Sequence, residues 1–457
     1  MSTTEEPHIK EAPNQARTII VEGGNPLVGT VKLSGAKNSV LKLIPAAMFS
    51  NEDIVLENVP RMGNVETDLE VIRAIGGKAE WLSQNQLSLN GAGINTHEIP
   101  YELGSKYRTA ALLAAPLVFR FGKASIPLPG GCKIGPRPIN RWIDTWRSLG
   151  MAVEETETHV NLTAEGLAGS EIVFEVNTHM GTDNAILSSL AASGETLISN
   201  AAEEPEVDDL IALCNLMGGS VERVEPRKIK VVGANVFKGG FFTVQGDRSE
   251  AVTFAVGALV TKGNVTLRGV DRTSLTAFTN VLTKMGATFE LSKNEMRVWH
   301  TDEEFKPVDV TTAPAPGFMT DWQPLVTLLL TQAVGESLVH DTVYTDRFEY
   351  TKDLNRMGAN VELVRPSSVG IIPVISDDHY DFDKLGEPFT VAKVVGPSRL
   401  RGTKMNVPDL RAGATLVLAA LMVEGKSEIG GIENVERGYE DFLEKLVGLG
   451  AVIERIG

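Results

Sequence analysis

The residue with the clearest capacity for chemistry is Cys132, in the segment FGKASIPLPGGCKIGPRPINRW. Paired glycines and four prolines between positions 127 and 138 rule out a continuous helix or strand, so the thiol belongs to a loop. Lys133 is adjacent and Arg137 is close in sequence. Cationic neighbours lower a thiol pKa, which suits an accessible cysteine to nucleophilic attack or to proton delivery near neutral pH. The other cysteine, Cys214, lies in the apolar stripe LIALCNLM and reads as an inert core residue.

Other polar segments suggest anion chemistry. SGAKN places Lys37 and Asn38 beside a glycine at a helix start, where free backbone N–H groups favour an anion; a solvated lysine is the plain alternative. DRSEAVTF carries Asp247, Arg248 and Glu250, TVYTDRFE carries Arg347, PDLRAGAT carries Asp409 and Arg411, and VERGYE carries Arg437. Arg411 and Arg437 precede helices, where a cation opposes the dipole unless an anion is near. Asp321, in PGFMTDWQP, stands at a helix entrance and reads equally as a cap or as a catalytic carboxylate.

These segments interrupt a repeated frame. Six times a helical stretch ends in glycine and runs into a strand: VIRAIGGKAEW, IDTWRSLGMAVEE, LIALCNLMGGSVE, VLTKMGATFE, DLNRMGANVELV and LEKLVGLGAVIER. The closing glycines, Gly76, Gly150, Gly218, Gly286, Gly358 and Gly450, predict left-handed helix C-caps. Ahead of each lies an alanine-rich helix, apolar nearly all round, such as VTLLLTQAV and LVLAALMV, which must be buried on every side. The unit reads helix, strand, turn, amphipathic helix, strand. Three units per domain, with the apolar helices inside, is the simplest arrangement. A solenoid scaffold is the alternative, but its copies would have no need of different polar interruptions.

Composition sets the outer limits. A chain of 457 residues suits two domains, and 42% hydrophobic with 22% charged residues is ordinary for a globular protein. No apolar run is long enough to cross a bilayer, and the polar stretch 1–17 lacks the core of a signal peptide, so it reads as a disordered tail of a cytoplasmic protein before a strand at 18–21. Two cysteines and seven scattered histidines show no disulfide framework and no metal-ligand spacing. A net charge of −16 argues against a nucleic-acid partner, and it obliges any anion site to gather arginines against the global field.

Taken in order, SGAKN, GGCKIGxRP, AxEPE at 202–206, DRxEAxTF, TDxQ, DLRAxAxL and RGYE resemble the UDP-N-acetylglucosamine 1-carboxyvinyltransferase family of the EPSP synthase superfamily, from about Val28 to the C-terminus. The resemblance implies an α/β fold, an inside-out α/β barrel of two domains, each of three pseudo-repeated helix–strand units, with the active site in the interdomain cleft. The first domain would be 37–245 and the second 18–36 plus 246–457. It implies transfer of the enolpyruvyl group of phosphoenolpyruvate to the 3-hydroxyl of UDP-N-acetylglucosamine, a cytoplasmic step of peptidoglycan synthesis inhibited by fosfomycin, with no cofactor, metal or membrane partner.

Residue roles carry over only at matching positions. Lys37, Asn38, Arg137, Arg411 and Arg437 would hold phosphoenolpyruvate, guanidinium forks suiting phosphate and carboxylate. Asp321 would take the proton of the sugar hydroxyl and Cys132 would protonate the donor. Arg108, Arg137, Pro138, Ile139, Asn140, Arg141, Asn177, Thr178, His179, Met180, Gly181, Asp321 and Val343 would surround the sugar nucleotide. The chain departs from the family at Asn140, where a carboxylate is usual, and over 179–183, where His-Met-Gly-Thr-Asp replaces Ser-Val-Gly-Ala-Thr. These departures leave open another uridine nucleotide as acceptor. Shikimate 3-phosphate is disfavoured by the cysteine loop, and a silent regulatory paralogue by the retained donor residues.

Overall fold

The computed structural model describes residues 17–128, 139–374 and 380–456. All six predicted C-cap glycines are left-handed, with φ of 94°, 94°, 100°, 79°, 110° and 100° from Gly76 to Gly450. Each ends an amphipathic helix: Gly63–Ala74, Asn140–Ser148, Pro205–Leu216, Thr276–Met285, Tyr350–Met357 and Phe442–Gly448. The apolar helices are enclosed, as their lack of a polar face requires. Every residue of Arg248–Val260, Gln323–Leu330 and Leu410–Leu421 is buried. These three pack on one another, and Gly257 lets Leu418 approach closely, since a Cβ there would lie 3.1 Å from it.

The repeating unit is longer than the sequence pattern suggests. After four of the six capping glycines, Gly76, Gly150, Gly218 and Gly286, the chain makes a hairpin, as in Thr288–Leu291 with Glu295–Trp299, rather than a single strand. A further short strand precedes most of the buried helices. Among the described residues the strands form five four-stranded sheets and one three-stranded sheet. Edge strands of four or five residues with mixed exposure carry little hydrophobic periodicity, which is why the pattern misses them.

Two separate hydrophobic cores give a mixed α/β protein of two domains. One core draws on 40–244; the other draws on 19–33 together with 251–451. The strand Thr18–Gly23 explains the first part of that second core, since it sits between Gly425–Gly430 and Val452–Ile456. Arg17, expected within the tail, is tied there by its carbonyl, which accepts the N–H groups of Gly431 and Ile432.

The domains exchange strands where the chain passes between them. Val28–Lys32 runs parallel to Asn264–Arg268, although it leads directly into the first-domain helix Lys37–Ala47. Gly240–Thr243 runs parallel to Ile54–Glu57, although it leads into Arg248–Val260. The two passing segments bridge at Gly35 and Gly246: the Ala36 N–H donates to the Gln245 carbonyl at 2.7 Å, and the Asp247 N–H to the Ser34 carbonyl at 2.8 Å. Side chains brace the crossing. The Glu440 carboxylate accepts from Ser34 Oγ, the Arg61 N–H and Asn85 Nδ2, each at 2.7 Å.

The crossing has no room for a side chain. A Cβ on Gly35 would lie 1.8 Å from the Asn58 carbonyl oxygen, a backbone atom that cannot turn aside. Gly35→Ala should therefore lower unfolding free energy by more than about 3 kcal/mol in urea titration. Gly448→Ala, in a helix and with nothing within 4 Å of the added Cβ, should instead stabilise by about 0.5–1 kcal/mol.

Candidate active site

The crossing delivers two charged residues side by side. Lys37 is the first residue of its helix, and its N–H donates to Asp247 Oδ2 at 3.2 Å. Asp247 also caps the helix Arg248–Val260, accepting the N–H groups of Ser249 and Glu250 through Oδ1. One carboxylate thus serves the helix entrances of both domains. Asn38 comes next after Lys37 in the same first turn, half-buried. Burial, and after it the Arg411 charge, brings the Lys37 ammonium down to about 8, while Asp321 and Asp247 pull the other way and Arg437 adds to the repulsion.

Asp321 is no cap. It lies in the turn Thr320–Trp322, and its oxygens accept from side chains: Oδ1 from Arg347 Nη2 at 2.6 Å and Oδ2 from Arg411 Nε at 3.0 Å. Both guanidiniums are buried, at 6% and 3% exposure, against 24% for the carboxylate between them. Burial alone would raise the Asp321 pKa, but Arg347, Arg411 and Lys37 outweigh it and hold the carboxyl well below its usual range. Arg347 Nη1 also donates to Thr320 Oγ1 at 2.9 Å, and that hydroxyl donates to Asp341 at 2.6 Å. Asp341 accepts the N–H of Val343 at 2.9 Å as well, so Val343 is fixed by the same carboxylate.

Donor capacity is left over. Arg411 Nη1 and Arg347 Nε are buried and have no partner among the described residues. Buried guanidinium N–H groups without acceptors are costly, and an anion would satisfy them. Arg411 is in the first turn of Leu410–Leu421, capped by Asp409, as expected for an arginine that awaits an anion. Arg437 differs from expectation: it closes the short helix Glu433–Glu436, where a cation suits the dipole, so its helix position carries no anion argument. Its place across the domain boundary does, because its Cβ faces Gly63, at 3.7 Å from a Cβ built there, and its charge reaches Lys37.

Of the expected nucleotide residues, Asn140, Arg141 and 177–181 lie on first-domain elements that pack together, whereas Asp321 and Val343 belong to the second domain. Asn140 and Arg141 begin the helix Asn140–Ser148 and line a cavity of about 290 Å³ against 172–176 of the strand Glu171–Thr178. That strand ends in Asn177, whose amide donates to the carbonyls of Asn200 and Ala201, and in Thr178, which caps the helix His179–Leu190 by accepting the Gly181 N–H. Met180 packs on the first core, as does Ile139. The Arg108 guanidinium lies 4.6 Å from the Trp142 ring centre. Cys132, Arg137 and Pro138 lie outside the described residues. Cys214 is fully buried, and burial pushes its thiol up, as an inert core cysteine requires.

Arg347, Asp247 and Asp341 are given no role by the motifs of the sequence, yet they hold the charged centre. Arg347 and Asp247 left a signal, each in one of the polar interruptions, and Asp341 left none. A larger cavity, about 870 Å³ and lined by Lys32, Asn58, Gln245 and Arg272 among others, opens beside the crossing and contains none of the expected site residues. Geometry and unpaired donors favour the Lys37–Asp321–Arg411 centre over size alone.

The chain is similar to known enolpyruvyl transferases over nearly its whole length. Residues 21–446 match the family EPSP synthase (3-phosphoshikimate 1-carboxyvinyltransferase). The chain is 36% identical to UDP-N-acetylglucosamine 1-carboxyvinyltransferase 2 of Carboxydothermus hydrogenoformans, over 96% of this chain and 99% of that one. It is 37% identical to UDP-N-acetylglucosamine 1-carboxyvinyltransferase 1 of Caldanaerobacter subterraneus subsp. tengcongensis, over 95% and 99%. In fold it is similar to the enolpyruvyl transferase NikO from Streptomyces tendae, with a TM-score of 0.85 at 24% identity over 96% and 99% of the chains. The chain belongs to the EPSP synthase family of enolpyruvyl transferases, with the UDP-N-acetylglucosamine 1-carboxyvinyltransferases among its relatives.

Proposed function

We propose that the protein transfers the enolpyruvyl group of phosphoenolpyruvate to the 3-hydroxyl of UDP-N-acetylglucosamine, releasing phosphate, in the cytoplasm at the first committed step of peptidoglycan synthesis. The observation that carries the reading is the buried pair Arg347 and Arg411, with N–H groups left unpaired beside Lys37, in a chain whose relatives are named for this reaction. The finer architecture that goes with it is an inside-out α/β barrel of three repeated units per domain, the domains being 37–245 and 18–36 plus 246–457, with catalysis in the cleft between them.

In this reading Lys37, Asn38, Arg137, Arg411 and Arg437 hold the donor's phosphate and carboxylate. The sugar hydroxyl adds to carbon 2 while Cys132 gives a proton to carbon 3. The tetrahedral ketal then loses that proton and expels phosphate. Asp321, held far below its usual pKa by two arginines, is a weak base until an anion draws Arg411 away. Donor binding would thereby raise the Asp321 pKa towards the value a general base needs. Arg108, Arg137–Arg141, Asn177–Gly181, Asp321 and Val343 would receive the nucleotide sugar. A second reading, another uridine nucleotide as acceptor, rests on Asn140 and on 179–183, where the chain departs from the family. Phosphate release from phosphoenolpyruvate with UDP-N-acetylglucosamine, with UMP and with neither decides between them; no release in any arm defeats the proposal.

Lys37 gives the donor step a pH dependence. Its ammonium, lowered to about 8, loses its charge as pH rises through that value, and the neutral amine attracts an anion less. The kcat/KM for phosphoenolpyruvate should fall with a break near pH 8. In Lys37→Arg the break should leave the assay range, because a guanidinium stays charged. A break that survives the substitution assigns it to another group.

Fosfomycin, a small phosphonate epoxide, should alkylate the protein once, on the Cys132 peptide, with the buried Cys214 untouched in mass spectra. Cys132→Ser should reduce kcat by about 10²-fold or more, a hydroxyl being a far weaker acid than a thiol. An adduct on Cys214 alone, or full activity in Cys132→Ser, would sink the assignment.

A further inference from the structure

Behind the acceptor edge lies a buried charge arrangement that the proposed chemistry does not use. Lys42, on the helix Lys37–Ala47, has a side chain only 3% exposed, and its ammonium meets the Asp183 carboxylate at 2.8 Å. The same ammonium contacts Nε2 of His179. His179 opens the helix His179–Leu190 and stands one turn ahead of Asp183. Asp183 is 1% exposed, whereas the His179 side chain keeps 26% of its surface accessible.

An ammonium offers N–H donors and no acceptor. The nitrogen facing it must therefore accept, which leaves the ring's hydrogen on Nδ1. Burial, with the Lys42 charge next, drives the imidazole pKa well below its ordinary value, in keeping with a neutral ring. Arg248 and Asp321 are the other charges that reach it. A buried lysine–carboxylate pair contributes little net stability, because desolvation offsets the attraction. Its effect on the histidine is better defined than its effect on the fold.

We propose that Lys42, braced by Asp183, is a positioning residue for the acceptor: it fixes His179 as the Nδ1–H tautomer, so that the site offers a ring N–H to an oxygen of the bound nucleotide. The chemistry recognised is a hydrogen-bond acceptor on a uridine nucleotide, either a uracil carbonyl or a phosphate oxygen. The inference rests on the nucleotide-acceptor reading of the proposed function and adds to it the means by which this chain replaces the family's Ser-Val-Gly-Ala-Thr stretch.

Ring nitrogen NMR of the full-length protein labelled with 15N-histidine tests it, with His179→Asn to assign the signal. His179 should show a protonated Nδ1 and a bare Nε2; an Nε2–H ring or an imidazolium overturns the proposal. In kinetics, His179→Leu should raise the KM for UDP-N-acetylglucosamine about tenfold and that for phosphoenolpyruvate less than twofold, the loss of about one hydrogen bond. His179→Asn, whose amide N–H takes the place of Nδ1–H, should recover most of the difference. Lys42→Met should raise the same KM and give a mixed tautomer; if it does not fold, the wild-type spectrum still decides. An unchanged acceptor KM in His179→Leu overturns the proposal. Equal weakening of uridine and UMP binding in His179→Leu assigns the bond to the nucleoside, and weakening confined to UMP assigns it to phosphate. If the wild-type protein releases no phosphate with UDP-N-acetylglucosamine, the proposed function fails, while the spectrum and the uridine and UMP affinities still judge this inference.

Discussion

Two chain segments pass each other at Gly35 and Gly246 closely enough to share backbone hydrogen bonds, and the rest of the molecule is arranged around that contact. Each segment finishes a strand in one domain and starts a buried helix in the other. A side chain at Gly35 would meet the Asn58 carbonyl, and one at Gly246 would lie 2.1 Å from the Gly269 carbonyl. Glycine is required by the approach of backbones, not by an unusual φ, as neither residue is left-handed. The contact sets where both helices begin, and so places Lys37 beside Asp247.

Charge governs the centre that the crossing creates. The chain is acidic overall, at −16, yet Lys37, Arg347 and Arg411 converge around the Asp321 carboxylate, and the Arg437 charge reaches Lys37. Asp321 bridges Arg347 and Arg411 at 2.6 and 3.0 Å, and it offsets part of a repulsion that would otherwise oppose folding. The arrangement is incomplete in its hydrogen bonding: two guanidinium nitrogens have no acceptor among the described residues. An incoming anion would complete it and compete with Asp321 for Arg411. The same contacts that stabilise the charged centre thus hold Asp321 ionised.

The two sides of the site are built differently. Around Lys37 and Asp321, charged groups reach in from both domains, and the crossing brings Lys37 to Asp247. Where the proposed function would seat the acceptor, Asn140, Arg141 and 177–181 come from neighbouring elements of the first domain, and Lys42 and Asp183 form a buried pair close by. Arg248 joins the sides, pairing through two 2.9 Å hydrogen bonds with Glu206 of the first domain. Contact between the domains thus includes a buried ion pair and not apolar packing alone.

The sequence by itself determined the elements whose physics is local. A glycine after an amphipathic stretch caps a helix, and all six did so, because only the absence of Cβ makes the left-handed turn cheap. Helices without a polar face had to be buried, and they are. The polar interruptions named Lys37, Asp321, Arg411 and Arg437, since charged groups in an apolar frame need a reason. Tertiary structure decided what depends on residues far apart in the chain. Short edge strands carry too few residues to show a period, so the hairpins and the exchanged strands appear only when the sheets assemble. Whether Asp321 caps a helix or bridges arginines depends on Arg347 and Arg411, which lie 26 and 90 positions away. Nothing along the chain marks Lys42 as the partner of Asp183 and His179, from which 141 and 137 positions separate it. Electrostatic partners are chosen by distance in space, and the folded crossing alone sets those distances.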